Sequence, residues 1–524
     1  MEEIYQSVLE KLPGVAWTVR EYGRLTLEEY ARDLYGYRAQ AVQPLDDLVG
    51  TVSAYARRLL GSGAAALLER HFAETPVALT ANHHGVDYKS LTVQGTIIFA
   101  LPRLPAGPPG TLPVVPVLAF GTVPLNNFSF PRGIVLARRK KPSNSADTSA
   151  AYLKVPLIPA RYSQALVSVA GPLTGEMVDR ALEKVRQLYA DSMILENEKN
   201  CLAALLQEEY GRSEVLNLQD YSDQAVVLNR AVWKRMFAPP LRQELPEMAY
   251  LEAERVAGPL IEKDLLDRDS LLHNLLFDPQ LREGLLQALD KKSGCWDLHK
   301  LETLAGSNDD NGPSHDELRG CGTVFFWQVD PKGRRLPLAV RSRGSAPELT
   351  GVAGNGFSVP LAPEDLRRAL GERRLLPCLF TSFAALAFAR GVRCLGGFYQ
   401  VDYLPAMQRG LLDALVGRGL GDWAQKVAGV PTSGFITGMH IALAHYPGGE
   451  TVSAGAPEII ASGGLTPAQL EGIKALTVEE ANLAGLLETY SEFSGGEMPA
   501  ESWFDSLRSL VLERSAGRLA GIRL

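Results

Sequence analysis

The chain has 524 residues, 46% of them hydrophobic and 22% charged, with a net charge of −7 at pH 7. This is the balance of a globular protein able to bury a large core in two or three units, and an acidic surface offers nucleic acid no broad basic field. No apolar run reaches the length of a membrane span, the opening MEEIYQSVLEKLPG does not resemble a signal peptide, and five cysteines suit a reducing compartment. A cytoplasmic protein without membrane or nucleic-acid partners is therefore expected.

Residues 1–72 read as helices, because LTLEEYARDL and LDDLVGTVSAYARRLLG place apolar residues three and four apart. The pattern then changes. Residues 77–80, 112–120 and 133–137 are short runs rich in Val, Leu and Ile, divided by polar or Gly/Pro joints. Between the first two, SLTVQGTIIFAL (90–101) suits a buried crossover helix, although its β-branched residues also suit a strand. Strand, helix, strand predicts a parallel α/β unit. A polar loop with a four-residue basic cluster, Arg138-Arg139-Lys140-Lys141, leads to a helix within 171–190. Residues 191–293 continue as helices with little strand signal, and GSNDDNGPSHDE (306–317) is a loop. TVFFWQVDPKGRRLPLAV (323–340) predicts a hairpin turning at Asp330-Pro331-Lys332-Gly333, and Pro363 opens a short helix. An apolar helix, a strand ending at Gly396-Gly397 and another helix follow; from Gly421 on the chain reads as helix and loop. The predicted fold is α/β: a Rossmann-like parallel sheet built from 73–190 and 321–420. A helical insertion, 191–320, interrupts it, and helical segments, 1–72 and 421–524, flank it.

Four constellations could carry chemistry. The first is TANHHGVDYKS, where Thr80, Asn82, His83, His84, Gly85 and Asp87 crowd the end of the first strand. Ligands of open α/β sheets sit beyond strand carboxyl ends, where helix N-termini meet anions. A phosphate or nucleotide is expected at this turn, with His83 or His84 donating to it or acting as general acid. The bland alternative is a capped helix with satisfied histidines. Asn126 and Asn127, after the second strand, could orient a polar substrate or merely shape a turn. Gly396, Gly397, Gln400, Asp402 and Tyr403 form a third point of backbone approach, with Asp402 a candidate catalytic carboxylate and Tyr403 a candidate holder of an amine or hydroxyl. Last, Cys295, His299, His315 and Cys321 are spaced C-x3-H-x15-H-x5-C. That set could close a tetrahedral zinc site, but it lacks the tight pair spacing of common zinc modules, so zinc is disfavoured. No Walker loop, G-x-S-x-G elbow or H-E-x-x-H occurs.

The order of these features resembles the cysteine-adding enzyme of bacillithiol biosynthesis, a putative ligase family with a Rossmann-like fold. Thr80 and Gly85 match the ends of that family's Thr-Gly-Gln-Gln-Pro-Gly turn, and Gly396, Gly397 and Tyr403 match its Gly-Gly-Pro-Gly-Glu-x-x-Tyr region. The family's acidic turn after the second strand is replaced here by FGTVPLNN. The resemblance implies a ligase or group-transfer enzyme acting on a small polar substrate of amino-acid or amino-sugar type, with ATP or another nucleotide as cofactor. A non-catalytic binding or scaffold protein of the same fold and a zinc-dependent enzyme are the alternatives. The sequence leaves a homodimer open.

Overall fold

The computed structural model describes residues 2–37, 41–105, 113–138, 152–306, 318, 320–343, 346–352, 356–493 and 501–524. Four strands form its central sheet: β1 (Val77–Leu79), β2 (Val114–Ala119), β3 (Glu247–Glu252) and β4 (Arg393–Leu395). They are parallel and lie in the order β4-β1-β2-β3. Side chains alternate along a strand, so each strand feeds two apolar layers. Val77, Leu79, Val117, Tyr250 and Leu395 enter one core, whereas Ala78, Leu118, Leu251 and Cys394 enter the other. Helices cover both faces. On the first lie α1 (Ser90–Ala100) and α2 (Tyr221–Arg235); on the second lies α3 (Ala253–Leu266), and α4 (Gln400–Gly417) contributes Leu404 and Met407 there. The N-terminal helices supply both layers, Tyr30 and Leu34 to one, Val52 and Leu68 to the other. The protein is thus a mixed α/β fold around a parallel sheet. Among the described residues, no helix is long and apolar enough to cross a membrane.

The crossover between β1 and β2 is the helix α1, buried along its whole length. The hairpin also forms where expected, Phe326–Val329 pairing antiparallel with Arg335–Leu336. Three expectations are corrected. The run at 133–137 forms a strand, but it pairs antiparallel with Tyr152–Pro156 instead of joining the parallel sheet. The stretch 191–320 is not wholly helical, since it supplies β3, the sheet's edge strand. The stretch after Gly421 contains strands as well, Ala442–His445 lying between Thr451–Ser453 and Ala520–Arg523.

Strand order fixes where a ligand can enter. From β1 the chain steps outward to β2 and β3, then returns to the opposite side of β1 as β4. The order reverses between β1 and β4, and in open parallel sheets the crevice lies beyond the strand ends at such a reversal. The residues that follow these two strands are Thr80 and Gly396-Gly397.

Candidate functional site

A cavity of about 1470 Å³ opens at this point, larger than most small-molecule sites. Thr80 and Gln400 form its floor. The Gln400 amide donates to Thr80 Oγ1 (2.7 Å) and to the Cys394 carbonyl (3.2 Å), and the Thr80 hydroxyl donates to the Leu395 carbonyl (3.1 Å). Tyr403, one residue short of a helical turn beyond Gln400, also lines the cavity and donates to Gln400 Oε1 at 3.4 Å. Burial raises the Tyr403 phenol well above its ordinary range, so the hydroxyl stays protonated.

His83 lines the same cavity, and its tautomer is fixed by its neighbours. Its Nδ1 lies 2.8 Å from Asn127 Oδ1. That Asn127 atom also accepts the Ser129 backbone N–H (3.1 Å) and the Ser129 hydroxyl (3.2 Å), so it is the carbonyl oxygen and Nδ1 must carry the proton. Nε2 then holds a lone pair. Among the described residues it has no hydrogen-bond partner, and it is not sealed from solvent. Burial lowers the imidazole to a pKa of about 4, against the Asn127 hydrogen bond, and the charges of Arg335 and Lys89 lower it further. At a pKa of about 4 the ring is neutral near pH 7 and carries no imidazolium proton to donate, which weighs against the expected general acid; its unpartnered Nε2 is an acceptor.

His84 faces away from the cavity. Its Nε2 donates to the Ser222 carbonyl (3.1 Å) and lies 3.0 Å from Ser222 Oγ, its ring stacks on Tyr250, and burial keeps it neutral. Most of the backbone donors that follow the turn expected to cradle a phosphate are occupied, as is that of His84 within it. The N–H groups of His84, Val86, Asp87 and Lys89 donate to Phe120 O, the Tyr221 hydroxyl, Asn229 Oδ1 and Asp87 Oδ1. Asn82 is buried and donates to Asp87 and Thr96. Asp87 is enclosed by the Thr92 hydroxyl and the Lys89 N–H, and burial raises its pKa to about 6. Gly85 adopts φ +127° with its α-carbon against Pro131, where a Cβ would approach to 2.7 Å; close packing, not phosphate approach, requires glycine there. The helix α1 begins only at Ser90, whose hydroxyl donates to the protein's own Glu488 carboxylate at 2.5 Å.

The third constellation divides. Gly397 lines the cavity beside Thr437, while Gly396 packs on the Gln400 side chain. Asp402 does not reach the cavity: its Oδ1 accepts the Gly14 N–H at 2.9 Å. Consecutive residues on a helix point about 100° apart, and here Tyr403 of α4 turns to the cavity while Asp402 turns to Gly14. Asn126 is exposed and outside the lining, whereas Asn127 lines it. Of the zinc set, Cys295 and Cys321 are buried, His299 is exposed and His315 lies outside the described residues. Among the described residues, no three His, Cys, Asp or Glu side chains gather to hold a metal.

Sequence reading missed the basic part of the lining. Arg335, on the hairpin, donates to the Thr122 carbonyl at 2.6 Å and lies over the Trp327 ring, 4.6 Å from its centroid. Lys291 and Lys292 line the same cavity. The adjacent Arg334-Arg335 pair was visible in the sequence, but an arginine just past a hairpin turn reads as solvated until the hairpin's docking site is known. No family model matches the chain, and no match was found among curated proteins or solved structures.

Proposed function

We propose that this protein is a group-transfer or ligase-class enzyme with a Rossmann-like core, working on a small polar substrate in the cavity beyond the sheet. The observation that carries the reading is the fixed tautomer of His83, a base without a protein partner that opens on a cavity at the strand-order reversal. In this reading Nε2 takes the proton of an amine or hydroxyl as that atom bonds to the group being transferred. The bond to the leaving group breaks, and the leaving group keeps the electron pair. Gln400 and Tyr403 orient the attacking substrate. The resemblance to the cysteine-adding enzyme suggests an amine-bearing substrate of amino-acid or amino-sugar type, and a nucleotide is the activating partner such a ligation needs.

The test is a mass-spectrometric turnover screen of a metabolite extract, with and without ATP, comparing wild type with His83→Gln. Turnover that falls about a hundredfold or more in the variant supports the reading. Turnover that survives the substitution removes His83 as base. Retention of a ligand without any turnover replaces the enzyme by a binding protein.

A further inference from the structure

The two acidic residues on the cavity wall are already engaged. Asp330 holds its own turn, accepting the Lys332 and Arg334 N–H groups (2.9 and 2.8 Å) and pairing with the Arg334 guanidinium at 2.7 Å. Asp297 caps a helix, accepting the Lys300 N–H at 3.0 Å. Arg335, Lys291 and Lys292 form no ion pair among the described residues, and the carboxylate that acts on Arg335 through space, Glu254, is engaged by the Gly121 and Thr122 N–H groups and the Thr122 hydroxyl. Arg335 has five N–H donors, and among the described residues only one, on Nη1, meets a protein acceptor. Its guanidinium is anchored by the Thr122 carbonyl and the Trp327 ring, and the residue lines the cavity. The backbone that carries the lysines is also constrained. Lys291 has φ +58°, a left-handed backbone rare outside glycine, and Gly294 of the same turn packs against Met407, Leu379 and Tyr403. Three cations that form no ion pair among the described residues thus line a cavity whose volume admits a nucleotide.

We infer that Arg335, with Lys291 and Lys292, binds the phosphate groups of a nucleotide-sized ligand in the cavity that His83 also lines. The inference rests on the proposed enzymatic reading only in placing that ligand near the base. It moves the anion from the β1 turn, where the His84 N–H and the donors just beyond it are already engaged, to side chains that form no ion pair among the described residues. Arg335 also acts on His83 through space, lowering its pKa, which places this wall within electrostatic reach of the base.

Calorimetric titration with inorganic tripolyphosphate and with ADP tests the assignment, with citrate as a carboxylate control. Wild type binds both phosphate probes more tightly than citrate, and binding weakens as salt rises. Arg335→Met loses at least about tenfold in affinity, and Arg335→Lys loses less, keeping the charge but not the fork. The double variant Lys291→Ala/Lys292→Ala alters only exposed side chains, which protects the test from misfolding; it too loses affinity and shows a shallower salt dependence. The inference is overturned if wild type binds neither phosphate probe, if citrate binds more tightly than tripolyphosphate, or if Arg335→Met and the double lysine variant bind like wild type. His83→Gln separates the two readings. It keeps tripolyphosphate affinity within about threefold, since a neutral imidazole adds no charge to the site. Loss of turnover in that variant without phosphate binding in wild type sinks only this inference; phosphate binding with turnover intact sinks only the base.

Discussion

At the scale of single residues, the chemistry turns on what His83 Nδ1 meets. Asn127 offers a carbonyl oxygen and no charge, so burial outweighs the hydrogen bond and the ring stays neutral to a pKa of about 4. Asn127→Asp keeps the shape and the Ser129 contacts but places a carboxylate at Nδ1. An adjacent opposite charge favours imidazolium, so the pKa rises by about one to two units, readable as histidine shifts in an NMR titration. An unchanged titration would mean that Nδ1 does not face residue 127. The same depression acts on stability. The unfolded chain protonates this histidine below about 6.5 while the folded chain binds no proton until about 4, so stability is lost as pH falls through that window. The loss is at most about 3 kcal/mol for this group, and Asn127→Asp shrinks it. His83 was legible as a candidate because two histidines beside a strand end are conspicuous. Its role was not, because a tautomer depends on a partner more than forty residues away in the chain.

At the scale of elements, local pattern and tertiary context pull apart in identifiable places. The short strand β1 and the helix α1 were legible because apolar runs and polar joints alternate there. The strand β3 was not. Its EMAYLE is made of residues that also suit a helix, and it runs into α3 without a loop. It is extended because β2 offers it a full parallel register from Val114 to Ala119; strand preference is largely a matter of such neighbours. Asp402 was misassigned for a related reason, since facing on a helix is known only once its packing partners are. The turn carrying Lys291 and Lys292 gives a direct test of element placement. Gly294 has φ +77°, and a Cβ there would approach Met407 to 2.8 Å and Leu379 to 3.1 Å. Gly294→Ala therefore combines left-handed strain with a clash and costs about 1–3 kcal/mol, measured by chemical denaturation. It also pushes the lysine turn off α4, so tripolyphosphate affinity falls together with stability. A variant as stable as wild type would show that the turn is not packed there.

At the scale of the whole molecule, one buried ion network ties together parts of the chain that are far apart in sequence. Arg390 is fully buried. It donates to both oxygens of Asp47 (2.9 and 2.7 Å), to both oxygens of Asp264 (2.9 and 2.8 Å) and to the Ala385 carbonyl at 3.0 Å. It thereby joins an N-terminal helix, Asp46–Leu60, to α3 and to the segment preceding β4. Such a network adds little by its charges alone, because desolvation offsets the attraction, but losing one partner strands the rest. Arg390→Met leaves two carboxylates facing an apolar side chain. Gln43 still donates to Asp264 and Lys263 still reaches Asp47, so the cost falls toward the lower part of the usual range, about 3 kcal/mol. The pH dependence identifies the cause. In the native protein burial pushes the Asp47 carboxyl up, but Arg390 and then Lys263 outweigh it and hold the group below its ordinary range. A carboxylate lowered in this way contributes stability above its unfolded pKa, and that contribution is lost as pH falls through its folded value. Without Arg390, burial acts on Asp47 with only the exposed Lys263 and the Leu48 N–H against it, and the carboxyl rises instead. The variant then binds more protons folded than unfolded at mildly acidic pH, so the stability gap to wild type narrows as pH falls from about 7 to about 5. Denaturation midpoints of both proteins across that range decide the matter. A gap independent of pH would mean that the lost stability comes from packing around Arg390, and that its charge holds nothing together.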